Sequence, residues 1–122
     1  MRTILIVDDE KKFRDKYKKM LVKSGFDVIE ASSALEVAEA LMRDKSRIDL
    51  ILLDINLPEV DGRGIFEIVD EYAPSIDIIV TSVLPLGDQR LTIPRAIDYF
   101  QKSKDSKVLL GKIKDALGLT VK

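Results

Sequence analysis

"LILLDINLPEVDG", residues 50–62, decides how the rest of the chain is read. The apolar run over 48–53 reads as a strand buried on both faces. It ends on Asp54, and Pro58 and Gly62 follow soon after. A carboxylate at the mouth of a hydrophobic strand is costly to desolvate unless a cation, a hydrogen bond or solvent compensates it. Asp54 therefore either caps a turn or is placed there to react.

Working outward, short apolar runs alternate with amphipathic stretches. The β-branched run over 3–7 predicts a first strand, ending at Asp8-Asp9-Glu10. From Lys11 the period changes. Phe13, Tyr17, Met20 and Leu21 form a helical stripe that Ser24-Gly25 stops. A strand over 26–31 follows, and then Ser32-Ser33 offers an N-cap to a helix with Leu35, Val37, Ala38 and Leu41 inward. Beyond the central strand, Ile65, Phe66, Ile68 and Val69 share a stripe over 62–72, and Pro74 follows it. A fourth strand over 76–80 ends at Thr81-Ser82. A fifth over 98–101 ends just before Lys102. The last helix spans 105–117, with Val108, Leu109, Ile113 and Leu117 inward and Gly118 past its end. The segment 85–96 predicts only a short or distorted fourth helix. Pro85 and Gly87 delay its start, and Pro94 disfavours helical backbone at Ile93.

Alternating strands and helices imply βαβ units, hence an α/β fold with a doubly wound parallel sheet. At 122 residues the chain is read as a single domain over 1–122, long enough for a real core. No apolar stretch is long enough to cross a membrane, and no secretory pattern opens the sequence, so a cytoplasmic protein is expected. The chain stops soon after the last helix, so no output domain is expected within it. Cysteine and histidine are both absent, which excludes disulfides, thiolate metal sites, His-ligated zinc and histidine-based triads. A net charge of -1 argues against direct nucleic-acid binding. The exception to this balance is the first helix, where Lys11, Lys12, Arg14, Lys16, Lys18, Lys19 and Lys23 make a basic face, solvated or docking an acidic partner.

In open parallel sheets, ligands bind outside the carboxyl ends of the strands. Asp8, Asp9, Asp54, Thr81 and Lys102 all fall there. Converging carboxylates repel one another, and a divalent cation relieves that repulsion. With oxygen ligands alone, the fitting ion is Mg²⁺ or Mn²⁺. Lys102 would add a second positive charge, and the Thr81 hydroxyl a donor. That is the electrostatic equipment for phosphoryl transfer onto a carboxylate.

At these residues the chain resembles the receiver domain of two-component response regulators. The resemblance rests on Asp8-Asp9-Glu10 with Arg14, on Asp54-Ile55-Asn56-Leu57-Pro58 with Asp61-Gly62, on Val80-Thr81-Ser82, and on Ala96, Asp98, Tyr99 and Lys102. It implies a flavodoxin-like (βα)5 fold with strand order 2-1-3-4-5. It implies that Asp54 accepts a phosphoryl group from a partner sensor histidine kinase or histidine phosphotransfer protein. Asp9 would bind Mg²⁺ directly and Asp8 mostly through water, with Asp54 and the Asn56 backbone carbonyl as further ligands. Lys102 would pair with the phosphate. Thr81 and Tyr99 would then move, altering the face made by the fourth helix, fifth strand and fifth helix. No membrane partner and no enzymatic turnover are implied.

Three positions depart from the family pattern. Ser103 follows Lys102 where proline is usual, which predicts a trans bond there. Ser82 stands where alanine or glycine leaves room for phosphate. The Pro94 segment is a poor fourth helix. These departures keep a second reading open, a degenerate receiver that binds partners without phosphorylation. A third, a phosphohydrolase of the haloacid dehalogenase type, wants a second aspartate two residues after the first. Here that residue is Asn56.

Overall fold

The computed structural model describes residues 2–55 and 62–119. Its elements run β1 (Thr3–Val7), α1 (Lys11–Lys23), β2 (Asp27–Ala31), α2 (Ala34–Asp44), β3 (Ile48–Asp54), α3 (Gly62–Tyr72), β4 (Asp77–Ser82), α4 (Leu86–Thr92), β5 (Asp98–Gln101) and α5 (Ser106–Ala116). The strands form one parallel sheet in the order β2-β1-β3-β4-β5, as the resemblance implied.

Side chains alternate across a strand, so each strand supplies both faces of the sheet. Ile4 and Ile6 of β1, Leu50 and Leu52 of β3, Ile79 of β4 and Phe100 of β5 pack with Tyr17, Leu21, Leu109 and Ile113 of α1 and α5. Leu5, Val7, Ile51, Leu53, Ile78, Val80 and Tyr99 pack on the other side against α2 and α3, through Val37, Leu41, Ile65 and Val69. Each large aliphatic so buried is worth about 1.5–3 kcal/mol relative to exposure.

The helix ends follow their local chemistry. Ser33 caps α2, its hydroxyl accepting from the Glu36 amide, while the Glu36 carboxylate accepts from the amide and hydroxyl of Ser32. Those bonds hold the Glu36 carboxyl below its usual range. After α1, Gly25 has φ +92°; its amide bonds to Val22 and the Phe26 amide to Leu21, the Schellman arrangement that favours glycine. Gly118 repeats it after α5.

Helix α4 is seven residues long, against eleven in α3. It ends where Ile93 turns extended ahead of Pro94, as expected of the residue before a proline. Two inward assignments are corrected. Leu35 is exposed, lying off the Val37–Leu41 stripe, and Val108 is half exposed, about 100° around the helix from Leu109.

Candidate functional site

Strand parity decides which polar residues meet. Counting by twos from Ile6, Leu52, Ile79 and Phe100, the next positions are Asp8, Asp54, Thr81 and Lys102. All four thus belong to the α1/α5 side, at the carboxyl edge of the sheet. Asp54 is the last residue of β3 and stands in register with Thr81 of β4. Asp8 follows β1, and its own amide still bonds to Ala31 of β2.

The Lys102 ammonium closes this edge. Its Nζ donates to Asp8 Oδ2 at 2.7 Å and to Asp54 Oδ2 at 3.1 Å, and all three side chains are buried. The ring centre of Phe13, from the first turn of α1, lies 4.3 Å from the same nitrogen. The Lys102 amide bonds to the Ser82 carbonyl at 2.7 Å, fixing where the lysine leaves β5. No cis peptide bond occurs among the described residues, so the Lys102–Ser103 bond is trans.

Around this core, Asp8 Oδ1 accepts from the Glu10 amide at 2.9 Å, and Arg14 Nη1 donates to the Asp8 carbonyl at 2.7 Å. Tyr17 lies one helical turn beyond Phe13 and stacks on it at 5.9 Å. Burial, then the negative charges of Asp8 and Asp54, push the Tyr17 hydroxyl pKa well above its ordinary value.

Carboxylate oxygens of Asp8, Asp9 and Glu10 come within 4.8 Å of one another. Asp8 is buried, and Asp9 and Glu10 are exposed at the rim. An all-oxygen set with exposed members suits a hard divalent ion that keeps water ligands, so Mg²⁺ fits these residues. Glu10 belongs to this group although it was not among the expected ligands. Asn56 lies outside the described residues.

Of the remaining expected residues, Ser82 and Tyr99 have the opposite parity to Thr81 and belong to the other side of the sheet. Thr81 and Ser82 are buried in β4, and Ser82 Oγ accepts from the Leu84 amide. Tyr99 is also buried, with its hydroxyl donating to the Ile93 carbonyl. The Arg90 guanidinium lies 5.2 Å from the Tyr99 ring centre.

A family model of the response regulator receiver domain matches residues 4–114. The chain belongs to that family, which serves two-component signalling. It is 30% identical over 118 residues to the transcriptional regulatory protein YxdJ of Bacillus subtilis (strain 168), covering 96% of this chain and 51% of that protein. The chain thus spans about half the length of that relative. Among solved structures, a CheY-like receiver domain protein from Methanospirillum hungatei JF-1 superposes with a TM-score of 0.85 at 28% identity, covering 97% of this chain and 94% of that one. The response regulator TrrA from Thermotoga maritima, solved in complex with Mg²⁺-BeF, gives a TM-score of 0.84 at 26% identity, covering 95% and 99%. No described helix is long and apolar enough to cross a membrane.

Three participants escaped the sequence reading. Phe13 and Tyr17 were placed in the α1 stripe as packing residues, yet both stand beside the charged cluster. Gln89 of α4 is fully buried, its Nε2 donating to the carbonyls of Leu84 and Phe100 at 2.8 and 3.1 Å. An uncharged polar residue at a core position of a short helix was the available signal.

Proposed function

We propose that Asp54 accepts a phosphoryl group from a phosphohistidine on a partner histidine kinase or histidine phosphotransfer protein. An Asp54 carboxylate oxygen forms the new P–O bond as the P–N bond breaks. The donor ring, protonated on its other nitrogen, leaves as neutral imidazole. The observation that carries this reading is the Lys102 ammonium bound at once to Asp54 and Asp8, at the carboxyl ends of parallel strands. That cation neutralises the acceptor now and would meet the added phosphoryl oxygens later, and such charge stabilisation is the main catalytic term in phosphoryl transfer. Thr81, in register with Asp54, supplies a hydroxyl donor to the same point.

Bound Mg²⁺, held by Asp8, Asp9, Asp54 and the Asn56 carbonyl, would offset the charge that two anions bring together. Asp9 would be the direct ligand, because both Asp8 oxygens already accept from protein donors. Phosphorylation would then draw Thr81 inward and disturb Tyr99 and α4, changing a partner-binding face. The unit doing this is read as residues 1–122, in the cytoplasm, as a phosphoacceptor assisting its own transfer and dephosphorylation. Turnover of a separate phosphomonoester is not expected.

Incubation with acetyl phosphate or phosphoramidate and Mg²⁺, followed by intact-mass measurement, tests the assignment. One phosphoryl group should be gained by the natural chain and none by Asp54→Asn. Equal labelling of Asp54→Asn defeats it. No labelling of a folded natural chain favours the phosphorylation-independent binding module.

A further inference from the structure

The short α4 leaves part of the sheet's α2/α3 side thinly covered. Two adjoining cavities open there, of about 240 and 220 Å³. Phe66 and Arg95 line both. The first is floored by Val69, Ile76, Ile78 and Ile97, and the second is closed by Ile93 and Pro94. Each is large enough for a branched aliphatic side chain. Neither touches the carboxylate–lysine cluster, which lies on the other face of the sheet.

Charge on the rim is one-sided. Among the described residues, Asp70 and Asp77 border the first cavity and Glu67 the second, against one cation, Arg95. Arg95 lies along the groove like a strap. Its guanidinium is 5.1 Å from the Phe66 ring centre, and Nη2 is 3.5 Å from Asp70 Oδ2. Both partners of that ion pair are half exposed or more, so water and salt screen it and it yields readily. The chain's own arginine thus demonstrates the recognition the groove offers: a cation over Phe66 and against Asp70, flanked by two apolar recesses.

We propose that this groove is a docking site for a peptide segment of a partner protein, with an arginine or lysine flanked by aliphatic residues. The partner's cation displaces Arg95 from Asp70 and also meets Asp77, and its neighbours fill the two cavities. The argument is charge complementarity combined with cavity size, and it holds whether or not Asp54 is phosphorylated.

Amide NMR titration of the full chain with acetyl-Leu-Arg-Leu-amide tests this, with acetyl-Leu-Glu-Leu-amide as the reversed-charge control. The arginine peptide should give saturable shifts centred on Phe66, Asp70, Asp77 and Ile97, and the glutamate peptide none. Asp70→Asn/Asp77→Asn, both at exposed positions, should weaken binding severalfold while leaving the remaining spectrum in place. Arg95→Ala should tighten it by removing the competitor. Absent shifts, equal shifts with the glutamate peptide, or shifts spread over the α2 acids Glu36 and Glu39 would overturn the proposal. So would concentration-dependent dimerisation lost in Asp70→Asn, which would assign the groove to a second copy of this chain.

Discussion

Lys102 Nζ stands 3.1 Å from Asp54 Oδ2 with both side chains almost wholly withdrawn from water. A buried ammonium shared between two carboxylates is held in place by what its loss would leave behind. Lys102→Met keeps the stem and removes the charge, so Asp8 and Asp54 would face each other uncompensated. Breaking such a cluster costs about 3–5 kcal/mol. Urea unfolding at neutral pH should show a loss of that order. Adding Asp8→Asn to Lys102→Met should restore part of it, and an additive double variant would deny the coupling.

Metal binding should be more sensitive to Asp9 than to Asp8. Asp8 is engaged by the Glu10 amide and by Lys102, whereas Asp9 is exposed at the rim. Mg²⁺ titrations followed by amide shifts over residues 8–10 should therefore lose more affinity in Asp9→Ala than in Asp8→Ala. The reverse order would make Asp8 the direct ligand.

Tyr17 gives a pH signature. Its folded-state pKa is raised, first by burial and then by Asp8 and Asp54. The folded chain therefore retains a proton that the unfolded chain releases near pH ~10. This contribution to stability is complete below pH ~10 and is lost as pH rises further, through the folded value. Absorbance titration of phenolate should show Tyr17 ionising above the ordinary tyrosine range. Asp8→Asn should bring Tyr17 down toward its ordinary range, and by more than Asp54→Asn does.

The turn after α4 should loosen when its side-chain ties are cut. Tyr99→Phe removes the donor to the Ile93 carbonyl, at a cost of about 0.5–1.5 kcal/mol. Gln89→Ala strips donors from two carbonyls, Leu84 and Phe100. It should cost more, about 1–3 kcal/mol, because two hydrogen bonds are lost at once from a fully buried side chain. In both variants hydrogen exchange should quicken over 86–97 and stay slow in β3.

Period alone carried most of the fold. The strands expected over 3–7 and 98–101 and the helix over 62–72 coincide with β1, β5 and α3, because turn residues or charges bracket each run. Elsewhere the boundaries moved by one or two residues. Asp54 pairs inside β3 rather than after it, and Phe26 turns off the end of α1 before β2 begins. Pro94 made the short α4 legible, since its effect on Ile93 is local. Less legible were contacts between elements distant in sequence. Nothing in the spacing of α1 says that Phe13 lies against Lys102, because that depends on how the helix is rotated on the sheet. Parity along the strands did contain the meeting of Asp8, Asp54, Thr81 and Lys102, but only once the strands were known to be parallel neighbours.

The bond from Lys102 to Asp8 joins positions 94 residues apart, almost the two ends of the fold. Loop-closure entropy makes contacts of such reach late arrivals during folding. A chain with β1, α1 and β3 already assembled has its pair of aspartates but not their counter-charge, which comes only when β5 is laid against β4. Completion of the carboxylate–lysine cluster is thereby tied to completion of the sheet. An immature or truncated chain lacking the last strand carries the two aspartates without the lysine that compensates their charge.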